Sequence, residues 1–357
     1  MKYDIHLTNV TGTGACQLVQ SLLPELEKVL IGQIDNIYLP ADGPLAGHRP
    51  ADPSINVVTY KRKLPKSISR VFETILFWNY KKNKNPILVL GDLPLKVNHG
   101  QTLFVQTPHL VGISKGLKFQ DKIKFLISRS IFRLNISSVD TVIVQTQAMK
   151  NALLSNFPYL KNRTFIVSQP PPNWLLSSKL KRIAPSATYK NQKTLNLIYP
   201  AAHYSHKNHV ILKQMTPELF KELNINQITL TISNECHPKA EVKMIKCVGE
   251  LSPLEMVELY SEADGLLFLS NAESYGFPLL EAMQVNLPII CPDLPYARAL
   301  CGNGPIYFDP NNFESLTLSM RTLNERLATD WWPNWHNELE KVSKNWRQVA
   351  VEFSELM

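Results

Sequence analysis

Short apolar runs recur along the first half of the chain, separated by stretches long enough for helices. YDIHLTN (3–9) alternates in the manner of a half-buried strand, and VTGTGAC then leads into CQLVQSLLPELEKVL, whose apolar positions recur at helical spacing. DNIYLP, SINVVTY, PILVLGD, TLFVQT and DTVIVQT are further strand-like runs, and GISKGLKFQDKIKFLISRSIFRLNISS between the last two is helical in length and pattern. Strands separated by helical lengths predict βαβ units and a parallel sheet.

The pattern breaks at FIVSQPPPNWLL (165–176), where consecutive prolines bar a helix or a central strand, and SSKLKRIAPSATYKNQKT follows with few apolar residues. A second set then begins with LNLIYPA, QITLTIS and KMIKCVGE. It continues through the helix SPLEMVELYSEA, the strand DGLLFLS, a helix after Phe277, and the strands LPIICPD and GPIYFD. NNFESLTLSMRTLNERLATD is helical, WWPNW interrupts it, and NELEKVSKNWRQVAVEFSELM resumes a helix in which Trp346, Val349 and Phe353 form a packing face. A length of 357 residues exceeds what one core usually supports. The expected organisation is an α/β protein of two tandem Rossmann-like domains: 1–172, a linker at 173–192, 193–332, and a C-terminal helix in 333–357. Two such domains are expected to face each other across a cleft, with ligands at the carboxyl ends of the strands.

Hydrophobic content of 44% and charged content of 19% describe a globular protein. Without a long apolar run or a basic leader, neither a membrane span nor a signal peptide is expected. The cysteines at 16, 236, 247, 291 and 301 form no CxxC and no zinc-ligand spacing, and their odd number speaks against a disulfide framework. A reducing cytoplasm and no metal are therefore expected, with Cys291 a small buried hydrophobe. Charge sharpens the picture further. The net charge is +8, yet residues 1–172 alone hold 21 Lys and Arg against 10 Asp and Glu. The basic segments YKRKLPKSISR (60–70) and SKGLKFQDKIKFLISRSIFR (114–133) lie in that half, and the second interleaves apolar and cationic residues as an interfacial helix does. An anionic membrane surface is the expected partner of this half.

Candidate chemistry concentrates in SNAESYGFPLLEAMQVNLPIICPD (270–293). A strand ends at Ser270 and a helix is expected to start near Pro278, which places Glu273 in the loop and Glu281 in the first turn. The N–H groups of Gly276, Phe277 and Leu279 would be unpaired there and would attract an anion. Carboxylates on either side of such a turn could grip hydroxyls beside a phosphate, the combination that sugar nucleotides offer. In the first domain the loop TGTG (11–14) follows the first strand, where Gly12 and Gly14 would let backbone approach a diphosphate or an acceptor.

ESYGFPLLEAM resembles the Glu-x7-Glu signature of the retaining glycosyltransferases of group 1 or family 4, which have the GT-B fold of two Rossmann-like domains. The likeness runs through VGELSPLEMVELYSEADGLLFLSNAESYGFPLLEAMQVNLPIICPDLPYARAL and GNGPIYFDP. The resemblance implies that Glu273 contacts hydroxyls of the transferred sugar, and that Ser274 and the amides from Gly276 through Phe277 to Leu279 contact sugar and diphosphate. It places the nucleotide ribose on Glu281, the diphosphate on Lys207, and the base beside Val248 and Gly249. No metal or other cofactor is implied.

Two departures stand out. Ala201 and Ala202 occupy the place of a usual arginine, where His203 or His206 would supply some charge. Gln106 occupies the place of a usual histidine, with His109 following. The implied activity moves a sugar from a nucleotide-diphosphate donor held by the second domain to a glycan or polyprenyl-linked acceptor held by the first, as in bacterial O-antigen, capsule or lipopolysaccharide assembly. The C-terminal helix is implied to cross back to the first domain, and the protein to lie at the inner face of the cell membrane, without nucleic acid. A sugar-nucleotide epimerase of the same architecture and a non-catalytic nucleic-acid binder are the alternatives. No recognition motif with interleaved exposed aromatics supports the latter.

Overall fold

The computed structural model describes residues 1–10, 12–61, 84–112, 119–184, 194–329 and 331–357, with the side chains of 119–122 and 124 left aside. Most of the basic segment 60–70, and residues 114–118 of the second basic segment, lie outside the described residues. The chain forms two compact units, Met1–Pro170 with Ser343–Met357, and Pro171–Val342.

The first unit is built on a seven-stranded sheet in the order β3-β2-β1-β4-β5-β6-β7. Its strands are β1 (Tyr3–His6), β2 (Ile34–Pro40), β3 (Asn56–Tyr60), β4 (Ile87–Val89), β5 (Gln101–Val105), β6 (Thr141–Val144) and β7 (Thr164–Ile166). All the pairings are parallel. Strands β4 and β5 are buried at every residue, as strands covered on both faces must be. The helix Trp346–Glu355 packs on the helix Thr13–Val29. Trp346, Val349 and Phe353 are buried, and the Phe353 ring meets Phe104 edge-on at 5.2 Å. Ser343 is fastened to Ser168 by its N–H, donated to Ser168 Oγ at 3.0 Å, and by its hydroxyl, donated to the Ser168 carbonyl at 2.7 Å.

The second unit has a six-stranded parallel sheet in the order β10-β9-β8-β11-β12-β13. It comprises β8 (Leu195–Tyr199), β9 (Ile225–Leu230), β10 (Ile245–Cys247), β11 (Gly265–Leu267), β12 (Ile289–Pro292) and β13 (Ile306–Phe308). Pro253 opens the helix Pro253–Glu262, and Ser252 with Glu255 forms a capping box that satisfies two amides at its start. Each sheet reverses its strand order once, between β1 and β4 in the first unit and between β8 and β11 in the second. Loops leaving the carboxyl ends of those pairs diverge to opposite faces and leave a crevice.

Two expected boundaries are corrected. Residues 173–184 are no free linker. Asn173–Ser178 is a helix with Leu175 in the second core, Arg182 N–H bonds the Val285 carbonyl at 2.6 Å, and the Arg182 guanidinium bonds the Ala263 carbonyl at 3.0 Å. The segment 333–357 is not one helix on the first unit. Trp335 is buried in the second core with Leu339 and Val342 against it, so the chain leaves the second unit only at Val342.

Candidate functional site

In the second unit β8 ends at Tyr199, and the loop that follows folds tightly. Lys207 N–H returns to the Tyr204 carbonyl at 3.0 Å, and the buried Tyr199 hydroxyl donates to the Lys207 carbonyl at 2.8 Å. After β11 the neighbouring loop is tied to it by Asn271 N–H, donated to the His206 carbonyl at 2.7 Å, while the Tyr296 hydroxyl holds the Ser270 carbonyl at 2.5 Å. This scaffold brings Lys207 Nζ to 2.5 Å from Glu273 Oε1, with the two side chains only 14% and 13% exposed. The ammonium also lies 5.9 Å from the centroid of the buried Phe268 ring. A cation and a carboxylate removed this far from water need each other, because either one alone would keep an uncompensated charge. Both still reach solvent, so a ligand can replace the contact.

Glu273 runs into the helix Phe277–Gln284, which begins one residue before the expected Pro278. Gly276 precedes it with φ 88°, a left-handed conformation that favours glycine, and a Cβ there would sit 3.1 Å from Leu279 Cδ1. The expectation for Leu279 is corrected. Its side chain is fully buried and its N–H bonds the Gly276 carbonyl at 2.9 Å, which leaves Gly276 and Phe277 as the amides for an anion. Ser274 lies half-buried in the same loop.

Glu281 sits deeper than a solvated ribose contact would. It is 5% exposed, and its Oε2 accepts from the Tyr260 hydroxyl at 2.7 Å. Burial pushes its carboxyl up to about 7, against the lowering effect of the Tyr260 bond. Between its ordinary value of 4.5 and about 7 the folded protein keeps a proton that the unfolded chain has released. The stabilisation is therefore complete below the lower value and is lost as pH rises through the upper one. Glu281→Gln, which cannot ionise, is expected to flatten that dependence by on the order of 3 kcal/mol. Denaturant unfolding from about pH 5 to 8 reads this directly, and parallel curves for the two proteins would contradict the assignment.

Val248 and Gly249 follow the edge strand β10. Their amides bond the Leu230 and Ile232 carbonyls at 3.0 and 2.9 Å, so these two N–H groups are already paired. His203 is exposed, its ring 5.8 Å from that of His209. His209 was not anticipated. It is 4% exposed, its value falls to about 4 chiefly through burial, and both ring nitrogens lack a hydrogen-bond partner among the described residues. Among the described residues no group of three or more His, Cys, Asp or Glu could hold a metal ion.

In the first unit Gly12 caps the helix Thr13–Val29, and a Cβ at Gly12 or Gly14 would meet nothing within 4 Å. Protein packing does not require glycine at either position, while the bare backbone leaves room for a ligand. The loops after β1 and β4 touch at Gly91, where a Cβ would lie 2.7 Å from Asn9 Cβ. Asp92, at φ 66°, was also missed. It accepts from the Gln106 and Thr107 amides at 2.5 and 2.8 Å and from the Thr107 hydroxyl at 2.8 Å. Gln106 donates its side-chain amide to the Leu90 carbonyl at 3.0 Å, so it joins strand ends. His109 is corrected as a group presented to sugar. It is 2% exposed, its ring lies 4.7 Å from Phe125, and its carbonyl accepts from Arg129 Nε at 2.6 Å.

Two parallel Rossmann-like sheets, each with one strand-order reversal, are the architecture of the GT-B fold. Solved structures share this fold along the whole chain. A sucrose-phosphate synthase from Thermosynechococcus elongatus superposes with TM-score 0.65 at 12% identity, covering 100% of this chain and 98% of its own. WaaG, a glycosyltransferase involved in lipopolysaccharide biosynthesis, gives 0.61 at 12% identity, covering 99% and 95%. Residues 186–326 match the model of the family "Glycosyl transferases group 1". The serotype-specific mannosyltransferase WbdA of Escherichia coli is 29% identical over 122 residues, 32% of this chain and 15% of that protein. The O-antigen chain mannosyltransferase RfbU of Salmonella typhimurium is 33% identical over 76 residues, 21% and 22% of the two chains. The match thus spans less than a quarter of either curated relative.

Proposed function

We propose that the protein is a retaining glycosyltransferase that moves a sugar from a nucleotide diphosphate to a glycan or lipid-linked acceptor. The observation that carries this reading is the Lys207–Glu273 pair at the β8/β11 switch point, beside the helix start capped by Gly276. When the donor enters, Glu273 exchanges the ammonium for sugar hydroxyls, and Lys207 turns to the diphosphate with the Gly276 and Phe277 amides. As the bond from anomeric carbon to phosphate oxygen breaks, negative charge grows on the leaving diphosphate, and these fixed donors stabilise it without a metal. The acceptor hydroxyl attacks from the face the leaving group departs, and its proton passes to the departing phosphate oxygen. Configuration is thereby retained. In this reading the ribose falls to Glu281, deep as that carboxyl lies, the base to Val248 and Gly249, and Gly12 and Gly14 leave room on the acceptor side.

The relatives named as mannosyltransferases make mannose the first sugar to test, and O-antigen or related surface-polysaccharide assembly the setting. An acceptor on a polyprenyl carrier suits the basic first half and places the protein at the cytoplasmic face of a membrane. No described helix is long and apolar enough to cross one. The test supplies nucleotide-diphosphate mannose and glucose with a bacterial glycolipid extract and determines the anomeric configuration of the product by NMR. Transfer from one donor with its configuration kept is expected. Inversion would overturn the mechanism, and donor epimerisation without transfer would overturn the activity.

A further inference from the structure

The Lys207–Glu273 pair stands on a row of buried rings. Tyr296, Phe268, Tyr199 and His209 follow one another with centroids 6.2, 5.6 and 5.0 Å apart, and none is more than 4% exposed. The Lys207 ammonium lies 5.9 Å from one ring of this row, Phe268. Tyr296 and Tyr199 both meet Phe268 edge to face, at 71° and 83°, a geometry that fixes the planes of all three rings. Packing alone would be served as well by phenylalanine at both ends of this contact. Tyrosine is costly to bury unless its hydroxyl is paired, so the partners of the two hydroxyls matter.

Tyr199 donates to the Lys207 carbonyl at 2.8 Å, and hydrogen bonds from the Leu269 backbone and the Ser270 side chain act on the same phenol. One hydroxyl thereby joins the loop after β8 to the end of β11. Tyr296, from the helix Pro295–Cys301, donates to the carbonyl of Ser270, three residues before Glu273, at 2.5 Å. Burial, and after it the charge of Glu273, pushes both phenols well above the ordinary tyrosine range, so both stay protonated and keep donating. A loop whose carbonyl is gripped by a fixed, buried donor cannot drift as a solvent-facing loop does. We propose that Tyr199 and Tyr296 are positioning residues of the transferase, whose hydroxyls fix the two loops from below and so set where Lys207 and Glu273 stand when a donor parts them. The catalytic consequence rests on the donor-site reading above. The fixing of the Lys207 loop does not, so the two can fail separately.

The test is Tyr199→Phe, which keeps the ring and deletes the hydroxyl. Tyr307→Phe is its control, because the Tyr307 hydroxyl donates to the Gly302 carbonyl at 2.6 Å, outside the two loops. In the transfer assay Tyr199→Phe is expected to lower kcat by roughly 10- to 100-fold with a smaller change in donor KM, the scale of loss when a catalytic group is displaced by up to about 1 Å. Tyr307→Phe should keep wild-type turnover. Added to Lys207→Ala, Tyr199→Phe should cost less than about twofold more, because the side chain it acts through is gone, whereas a purely structural tyrosine would add its full effect. Isotope labelling of lysine Cε reads the free protein by NMR without any substrate. The Lys207 resonance is the one that Lys207→Ala removes, and Tyr199→Phe should displace or broaden it while Tyr307→Phe leaves it in place. Tyr296→Phe is expected to act in the same direction on both readouts, and it carries the test if Tyr199→Phe does not fold. An unmoved Lys207 resonance, an unchanged kcat, or a loss that combines in full with Lys207→Ala would overturn the proposal. A displaced resonance in a protein that transfers no sugar would uphold the fixing of the loop and overturn the donor-site reading instead.

Discussion

Lys207→Ala is expected to lower kcat/KM for sugar transfer by about 10²–10³, the usual effect of removing one preorganised group from developing negative charge. The loss should appear mainly in kcat, because the charge on the diphosphate grows as the glycosidic bond breaks. Glu273→Gln keeps the volume and a hydrogen-bond acceptor for Lys207 but removes the charge, and is expected to abolish measurable transfer by the folded protein, with some loss of stability from the uncompensated ammonium. Steady-state kinetics with thermal unfolding on the same preparations separates the readings. A purely structural pair would lower stability and leave the turnover of the folded fraction unchanged.

Trp335→Ala is expected to destabilise the second unit by about 3–5 kcal/mol, the range for deleting a large buried aromatic. Trp335 is 1% exposed, donates its indole N–H to the Leu287 carbonyl at 3.0 Å, and lies over Gly304, where a Cβ would come within 2.1 Å of Cζ3. The ring fills a space that only a glycine neighbour leaves open, and helix and strand around it cannot close the gap cheaply. In calorimetric unfolding the transition of the second unit should fall by on the order of 10 °C, with nucleotide binding lost at the same temperature. A shift of only a degree or two would mean that residues 333–342 are not part of that core.

The alternation of strands and helices was legible because parallel strands are buried on both faces and read as apolar runs. Ile87–Val89 and Ile289–Pro292 are buried throughout. That Glu273 lies in a loop ahead of a helix start was legible from the residues themselves, whereas Lys207 entered only through the family resemblance, and its pairing with Glu273 is what the folded chain adds. Other features depend on contacts distant in sequence. Nothing in the linear order says that Tyr260 meets Glu281, or that Tyr199 and Tyr296 hold the two loops. Leu279 was misread because the helix begins at Phe277, and one residue of phase turns a free amide into a paired one. Asp92 escaped notice because a non-glycine at φ 66° carries no sequence mark, yet it fastens Gln106 and Thr107. The ending of the chain was misplaced because WWPNW reads as a breaker, whereas Trp335 anchors there.

The central claim is that Lys207 and Glu273 form the donor site of a sugar transferase, and it meets its most direct test in calorimetric titration. Nucleoside diphosphates and their sugar conjugates would be titrated into the wild type, Lys207→Ala and Glu273→Gln. One nucleotide series should bind the wild type at a single site. Lys207→Ala should weaken the diphosphate and its sugar conjugate alike, whereas Glu273→Gln should weaken only the conjugate. No binding to any member of the panel, or equal affinities in all three proteins, would contradict the account.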